Sequence, residues 1–170
     1  MIYRKAVRSD IPELAEIRKK QLIDEGMNPD REIRQELQAF FQKHFEDDTL
    51  VEFLALENDE TAATAAILFM EYPPTFANPS GIRGYVTNMY TAPAYRGRGL
   101  ASGMLERLMK EAEERGVTEI LLHASGMGRS VYERFGFTGR KDWMGIRLPA
   151  EEEDKTGQEM TGICPSEPVQ

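Results

Sequence analysis

The sequence predicts an α/β layered domain in which four helices flank a mixed, mostly antiparallel central sheet of six to seven strands. Two observations lead to this prediction. Strand and helix patterns follow the order β-α-α-β-β-β-α-β-α-β, without the strict alternation of a purely parallel sheet. The chain also has 170 residues, of which 41% are hydrophobic, which is enough for one domain with a substantial core.

The first part of the chain predicts a strand followed by two helices. Residues 2–7 have the composition of a short strand. Ser9 and Asp10 then precede a proline, which is typical of a helix start, and apolar residues recur on one helical face to about residue 24. A second helix follows Asp30, where apolar side chains again recur with a period of about 3.6 residues.

Three strands are predicted next. Residues 50–56 and 61–72 are rich in apolar residues, and the turn-forming pair Asn58-Asp59 lies between them, which predicts a hairpin. Residues 83–91 form the third strand of this group.

The C-terminal part predicts a helix, a strand, a short helix and a last extended stretch. The first helix has an apolar stripe from Leu100 and ends at Gly116. A strand is expected at 118–123, a short helix around 128–135, and a strand or hairpin arm at 136–148.

The domain is expected to span residues 1–148. Residues 149–170 are acidic and poor in apolar side chains, so we expect them to form a flexible tail.

The charge is distributed unevenly along the chain. Residues 1–80 carry 9 basic and 16 acidic side chains, residues 81–148 carry 11 and 7, and residues 149–170 carry 1 and 6. The basic middle therefore predicts contact with an anion. The total of −8 argues against a nucleic-acid partner.

Several classes of protein are disfavoured by what the sequence lacks. No run of about 18 apolar residues predicts a membrane helix, and the N-terminus has no apolar core of a secretory signal. One cysteine, Cys164, excludes an intramolecular disulfide framework and a multi-cysteine metal cluster. We therefore expect a cytoplasmic protein without membrane contact or a metal.

A glycine-rich segment lies between the strand at 83–91 and the helix after it. It reads Arg96-Gly97-Arg98-Gly99-Leu100-Ala101-Ser102. The first turn of a helix presents N–H groups without intrahelical partners, and glycines let a ligand approach the backbone closely. With two arginines, the segment predicts a phosphate or pyrophosphate site, although a plain strand-to-helix turn with solvated arginines has the same pattern.

The same glycines also approach the fingerprint of a dinucleotide-binding fold, through Gly97, Gly99 and Gly103. Only one more strand–helix unit follows, however, and the next strand ends without the acidic residue that binds a ribose in that fold. A dinucleotide enzyme is therefore the disfavoured interpretation.

A second feature lies downstream, in the predicted helix around 128–135. Tyr132 precedes the pair Gly136-Phe137 by four residues. Alone, this pattern fits an ordinary short helix that ends at a glycine and packs a tyrosine.

Together, the two segments resemble the GCN5-related N-acetyltransferase (GNAT) superfamily over about residues 84–137. Arg96, Gly99 and Ala101 match its acetyl-CoA signature, and Tyr132 matches the tyrosine of its later motif. The resemblance implies a GNAT-like fold that binds acetyl-CoA and acetylates an amine. It also makes a homodimer an expectation, because the family is often dimeric.

The resemblance further implies roles for individual residues. The strand before the signature would separate from its neighbour and offer backbone groups to the pantetheine arm, the amides after it would hold the pyrophosphate, and Tyr132 would protonate the departing thiolate. Ser125 and Gly128 depart from the family's usual Asn and Ala, which leaves Ser125 as a polar contact. The implied cofactor-binding residues are Met89, Tyr90, Thr91, Arg96, Gly97, Arg98, Gly99, Leu100, Ala101, Ser102 and Ser125.

The expected function is acetyl transfer to a primary amine of a small molecule or peptide, by direct attack in a ternary complex, with the Met89 amide stabilising the oxyanion. Glu71 and His123 are the candidates for the base, and each also fits a structural role. The acidic residues 1–80 suggest a cationic acceptor. The alternative is a non-catalytic acyl-CoA-binding or regulatory module on the same fold, which the presence of Tyr132 disfavours.

Overall fold

The computed structural model describes residues 1–140 and 143–146, and residues Met1–Thr138 form one compact unit. Two short 3₁₀ turns, Arg8–Asp10 and Pro93–Tyr95, precede the first and third helices. The strands of the described residues are β1 (Ile2–Lys5), β2 (Leu50–Glu57), β3 (Glu60–Glu71), β4 (Ile82–Thr91) and β5 (Ile120–Leu122). The helices are α1 (Ile11–Asp24), α2 (Arg34–Glu46), α3 (Leu100–Glu114) and α4 (Arg129–Phe135).

The five strands form one sheet in the order β1-β2-β3-β4-β5. The first three pairs are antiparallel, whereas β4 and β5 are parallel and α3 is the connection between them. A parallel pair needs such a crossover, because a short turn can only reverse the chain. The predicted α/β class, the mixed and mostly antiparallel sheet and the four helices are therefore confirmed.

The predicted number of strands, six to seven, is wrong, because the sheet of the described residues has five. The difference arises at 136–148, where residues 136–140 and 143–146 contain no strand. Three glycines among these thirteen residues weaken strand formation, and Met144 and Ile146 are almost fully exposed instead of facing a core. The tail expected at 149–170 lies outside the described residues.

Two apolar clusters lie on opposite faces of the sheet. On one face, Leu14 of α1 and Phe41 of α2 pack with Leu54 of β2. On the other face, Met104 and Leu108 of α3 are fully buried within a second cluster that includes residues of β3 and β4. Four buried alanines of the central strand β3 leave room for helices on both faces. They are Ala62, Ala63, Ala65 and Ala66.

Gly84 allows β5 to lie close beside β4. A β-carbon at this position would lie 2.7 Å from Ile67 Cδ1 and 2.8 Å from Ile120 Cδ1, far inside normal contact distance. Because Gly84 has no side chain, Ile67 of β3 and Ile120 of β5 can both pack above it, at the point where the β4–β5 pairing begins.

Candidate active site

A cavity of about 740 Å³ opens where β4 and β5 stop pairing. The two strands are paired from Gly84–Ile120 to Val86–Leu122, and β5 ends there. The remaining residues of β4, Thr87 to Thr91, line the cavity together with residues of α1, α3 and α4. On this side, the end of β4 therefore offers backbone groups that no strand of the described residues pairs with.

A β-bulge shapes β4 beside the cavity. Thr64 of β3 pairs with Tyr90 and Ala66 pairs with Thr87, so that two residues of β4, Asn88 and Met89, lie opposite the single residue between them. Asn88 has the left-handed backbone conformation, with φ of 51°. Asparagine adopts this conformation more readily than most residues, and a bulge leaves one residue out of the ladder.

The N-terminus of α3 forms a second wall of the cavity. Gly97 and Gly99 have φ of 78° and 77°, which favours glycine, and β-carbons there would meet nothing within 4 Å. No side chain caps the helix, and its first backbone bond runs from Gly103 N to Gly99 O at 3.1 Å. The amides of the first turn, which have no intrahelical acceptor, belong to cavity-lining residues. These are Leu100, Ala101 and Ser102.

These observations fit a bound pyrophosphate. Uncapped N–H groups at the positive end of a helix attract an anion, and the two glycines leave its approach open. Acetyl-CoA carries such a group, and the predicted pyrophosphate-binding segment lies at the cavity wall.

The two arginines of the glycine-rich segment have different surroundings. Arg96 lines the cavity, where its Nε donates to Thr91 O at 3.0 Å and its Nη2 donates to Asp24 Oδ2 at 2.5 Å. Arg98 is not a lining residue, because its guanidinium donates to Glu57 Oε2 at 3.2 Å and lies over the Tyr95 ring. In this structure the Arg98 side chain is therefore outside the cavity wall, and its predicted role in cofactor binding stays a prediction.

Tyr132 of α4 is partly buried and lines the cavity. Its ring packs edge-to-face against Phe137, at 6.0 Å between ring centroids. Burial, then the negative charge of Glu25 and then Tyr85, raise the pKa of Tyr132 to about 12. The phenol therefore keeps its proton at neutral pH, which a proton donor requires.

Ser125 and Gly128 hold the start of α4 around this tyrosine. Gly128 N donates to Ser125 Oγ at 3.2 Å, and both residues line the cavity. A β-carbon at Gly128 would lie 2.9 Å from Tyr132 Cε2. The glycine that departs from the family's usual alanine thus makes room for the Tyr132 ring.

The end of α1 adds acidic and amide groups to the cavity wall. Gln21, Asp24 and Glu25 are all lining residues, and Gln21 Nε2 donates to Glu25 Oε1 at 3.0 Å. The charge of Glu25 also contributes to the raised pKa of Tyr132. The negative charge that acts on Tyr132 therefore comes from Glu25, at the end of α1.

The two candidate bases lie in different places. His123 follows β5, is exposed and lines the cavity. Glu71 is exposed at the end of β3 and pairs with Ile82 at the start of β4, whereas the cavity borders the other end of that strand. The nine residues of β3 from Ala63, opposite Thr91, to Glu71 span roughly 25 Å, and Glu71 is not one of the lining residues of the cavity.

One acidic residue beside the site is missing from the sequence-based predictions. Glu52 of β2 is 2% exposed, and its Oε2 accepts a hydrogen bond of 3.2 Å from Asn88 Nδ2. Burial raises the pKa of Glu52 to about 8, against the opposing effects of the Asn88 bond and the Arg18 charge. The sequence contains a sign of this buried carboxyl group. Glu52 lies between Leu50 and Leu54 at every second position of a predicted strand, so the three residues share its apolar face.

Two classes of feature do not occur in the described ranges, 1–140 and 143–146. No group of three or more His, Cys, Asp or Glu side chains there is placed to hold a metal ion. No helix of these residues is long and apolar enough to cross a membrane.

Comparison with known proteins agrees with this geometry. Residues 11–137 match the model of the acetyltransferase (GNAT) family. A structure from Clostridium acetobutylicum, described as a predicted acetyltransferase with acetyl-CoA, is 48% identical and has a TM-score of 0.85, covering 86% of this chain and 96% of that one. A GCN5-related N-acetyltransferase structure from Ralstonia eutropha shares the fold at 22% identity and a TM-score of 0.76, covering 86% and 97% of the two chains.

A curated relative is the N-alpha-acetyltransferase MAK3 of Arabidopsis thaliana, which is 30% identical over 92 residues. The match covers 52% of this chain and 45% of the relative, so it spans less than half of that protein. The family match extends over most of the present chain and includes every residue of the cavity wall. The chain belongs to the acetyltransferase (GNAT) family.

Proposed function

We propose that this protein transfers the acetyl group of acetyl-CoA to a primary amine of a small molecule or peptide, by direct attack in a ternary complex. One arrangement carries the proposal: three features border the same cavity. They are the uncapped N-terminus of α3, the phenol ring of Tyr132 and the end of β4 that is not paired with β5. The acetyl-CoA in the relative that is 48% identical supports the choice of donor.

Acetyl-CoA supplies an activated acyl group as a thioester. Three regions of the cavity wall bind it. The amides of Leu100, Ala101 and Ser102 bind the pyrophosphate. Residues Met89 to Thr91 bind the pantetheine arm through backbone groups, as an added strand would. Arg96 adds a positive charge beside Thr91.

Two groups of the protein take part in the chemical step. As the amine nitrogen bonds to the carbonyl carbon and the C–S bond breaks, the Met89 amide stabilises the charge on the carbonyl oxygen, and Tyr132 gives its proton to the departing sulfur. The amine gives up a proton to solvent and Tyr132 regains one from solvent, so that the net products are the amide and the free thiol of CoA. Holding both reactants in one cavity supplies a further part of the rate.

The acceptor class follows from the charge on the α1 side. Asp24 and Glu25 are both lining residues, and Arg96 partners only Asp24 among the ion pairs of the described chain. Carboxylates at a binding surface raise the local concentration of cations. The proposed acceptor is therefore an amine that carries additional positive charge.

A thiol-release assay over amine classes tests the proposal. Peptide N-termini, lysine peptides, aminoglycosides, polyamines and amino acids are each added with acetyl-CoA, and free CoA is measured. We expect amine-dependent release, fastest with polyamines or aminoglycosides. Release that depends on no amine class would overturn the enzymatic function, and a preference for anionic amines would overturn the acceptor class alone.

A further inference from the structure

The bulge of β4 is held by side chains from two other positions in the sheet. Thr64 Oγ1 of β3 donates to Asn88 O at 2.9 Å, and Asn88 Nδ2 donates to Glu52 Oε2 of β2 at 3.2 Å. All three residues are at least 95% buried. A left-handed residue inside a strand persists only where its surroundings fix it, and these two bonds fix both ends of Asn88.

We propose that Glu52 is a positioning residue for acetyl transfer, which through Asn88 holds the β4 bulge in the shape that places the Met89 peptide group at the cavity. This inference rests on the proposed function. Asn88 and Met89 line the cavity and Glu52 does not, so Glu52 acts through Asn88 and not on a substrate.

The surroundings of Glu52 determine the charge of its carboxyl group. A buried carboxyl is unfavourable unless it is hydrogen-bonded or paired, and Glu52 has the Asn88 amide as its bonding partner and the Arg18 guanidinium as the facing charge. The pKa of about 8 keeps most of Glu52 protonated at pH 7. What Asn88 requires is therefore an acceptor oxygen, and at pH 7 that oxygen belongs to a carboxyl group that is mostly uncharged.

This requirement yields a matched pair of variants. Glutamine at residue 52 keeps a carbonyl oxygen at nearly the same place and can accept the Asn88 bond. Leucine has a similar volume but no acceptor, so it leaves the Asn88 amide buried and unpaired without opening a large cavity. Glu52→Gln should therefore behave like the native protein, and Glu52→Leu should not.

The experiment measures kcat and KM per folded site, with sites counted by acetyl-CoA titration. Glu52→Gln should stay within about twofold of the native kcat, whereas Glu52→Leu and Asn88→Ala should each lose about tenfold or more, a change of about 1.4 kcal/mol in the barrier. The KM for acetyl-CoA should rise by a smaller factor than kcat falls, because Met89 to Thr91 are displaced while the α3 amides that bind the pyrophosphate are not. The double variant should lose no more than the worse single one, since both act through one contact.

Two controls separate positioning from stability and from the proposed function. Leu54→Ala weakens the core on the same face of β2 and should lower the unfolding temperature without lowering kcat per folded site. Hydrogen exchange of residues 87–91 in the ligand-free protein should rise in Glu52→Leu and stay native in Glu52→Gln, whether or not the protein acetylates an amine.

Three results would overturn the inference: native kcat per folded site in Glu52→Leu, an equal loss in Glu52→Gln and Glu52→Leu, or losses that multiply in the double variant. If Glu52→Leu does not fold, Asn88→Ala with native kcat overturns it as well. Native protein without amine-dependent thiol release would instead refute the proposed function, and the exchange data would then decide whether Glu52 holds the bulge.

Discussion

The ring of Tyr132 lies against the backbone of Gly128, so closely that a β-carbon at residue 128 would lie 2.9 Å from Cε2 and 3.3 Å from Ser125 Oγ. The contact fixes where the phenol can lie in the cavity, since the ring packs against Phe137 as well. Gly128 has an ordinary φ of −84°, so an alanine there changes packing and not backbone strain.

Gly128→Ala should therefore displace the tyrosine. We expect kcat to fall by about tenfold, because a misplaced proton donor loses most of its effect, while the affinity for acetyl-CoA stays within about threefold. Steady-state kinetics and calorimetric titration measure the two quantities. Gly126→Ala is the matched control, since a β-carbon there meets nothing within 4 Å. Equal kcat in both variants would show that the contact is unimportant.

Tyr132→Phe removes the proposed proton donor and keeps the ring. We expect kcat to fall about a hundredfold, the usual scale of general acid catalysis, with little change in folding because the ring packing persists. The pKa of about 12 places the titration of Tyr132 above the working range, so the ratio of native to variant kcat should be constant from pH 6 to about 9. A ratio that changes severalfold over that range would point to another donor.

The neighbouring arginines provide a second matched pair. Arg96→Ala removes a cavity-lining cation that bonds Thr91 O, and it should raise the Kd for acetyl-CoA by about fivefold, more at low salt than at high salt. Arg98→Ala should leave Kd within about twofold, because the Arg98 side chain is not part of the cavity wall. Calorimetric titration at two salt concentrations measures both. The reverse order of effects would mean that Arg98 turns into the site.

Glu52 should make the stability depend on pH. Its pKa of about 8 in the folded protein lies above the ordinary value of 4.5, so between these values the folded state keeps a proton that the unfolded state has lost. The free energy of unfolding therefore falls as the pH rises from about 4.5 to 8, by an amount on the order of 5 kcal/mol, and levels off above pH 8.

Glu52→Gln removes this contribution, because an amide does not titrate. Compared with the native protein, the variant should gain stability steadily from pH 5 to 8, as measured by urea unfolding at each pH. Glu60→Gln, on the exposed end of β3, is the control and should follow the native profile. Parallel native and Glu52→Gln profiles would show that Glu52 ionises normally.

Glu25 is the residue through which acceptor charge can be tested. Glu25→Gln keeps the shape of the side chain and removes a carboxylate from the cavity wall. We expect kcat/KM to fall about fivefold for a polyamine and to change little for a neutral amine, since only the cation loses an attraction. Competition between the two amines measures this ratio directly, and an unchanged ratio would remove Glu25 from acceptor selection.

The features that local sequence determines were predictable. The start of α1 after Asp10, the turn between β2 and β3, and the glycines before Leu100 each depend on residues within a few positions. The position of the glycine-rich segment at the start of α3 could be predicted for the same reason. The last predicted strand failed because an extended stretch becomes a strand only by pairing, and residues 136–148 show no such partner in their described part.

The remaining features depend on contacts between distant residues. Glu52 and Asn88 are 36 positions apart, and they meet only because β2, β3 and β4 pair in one register with a bulge in it. The direction of the Arg98 side chain is likewise set by Glu57, 41 positions earlier. Neither the spacing of motifs nor the apolar periodicity contains this information.

Direct acetyl transfer from bound acetyl-CoA to an amine can be followed in a single-turnover experiment. The protein is held in excess over acetyl-CoA, and free thiol and acetylated products are followed with and without a polyamine. We expect acetyl-CoA to stay intact until the amine is added, and then one thiol to be released for each acetylated amine, with no acetyl group on the protein. Complete binding of acetyl-CoA with no thiol release, whichever amine class is added, would contradict it.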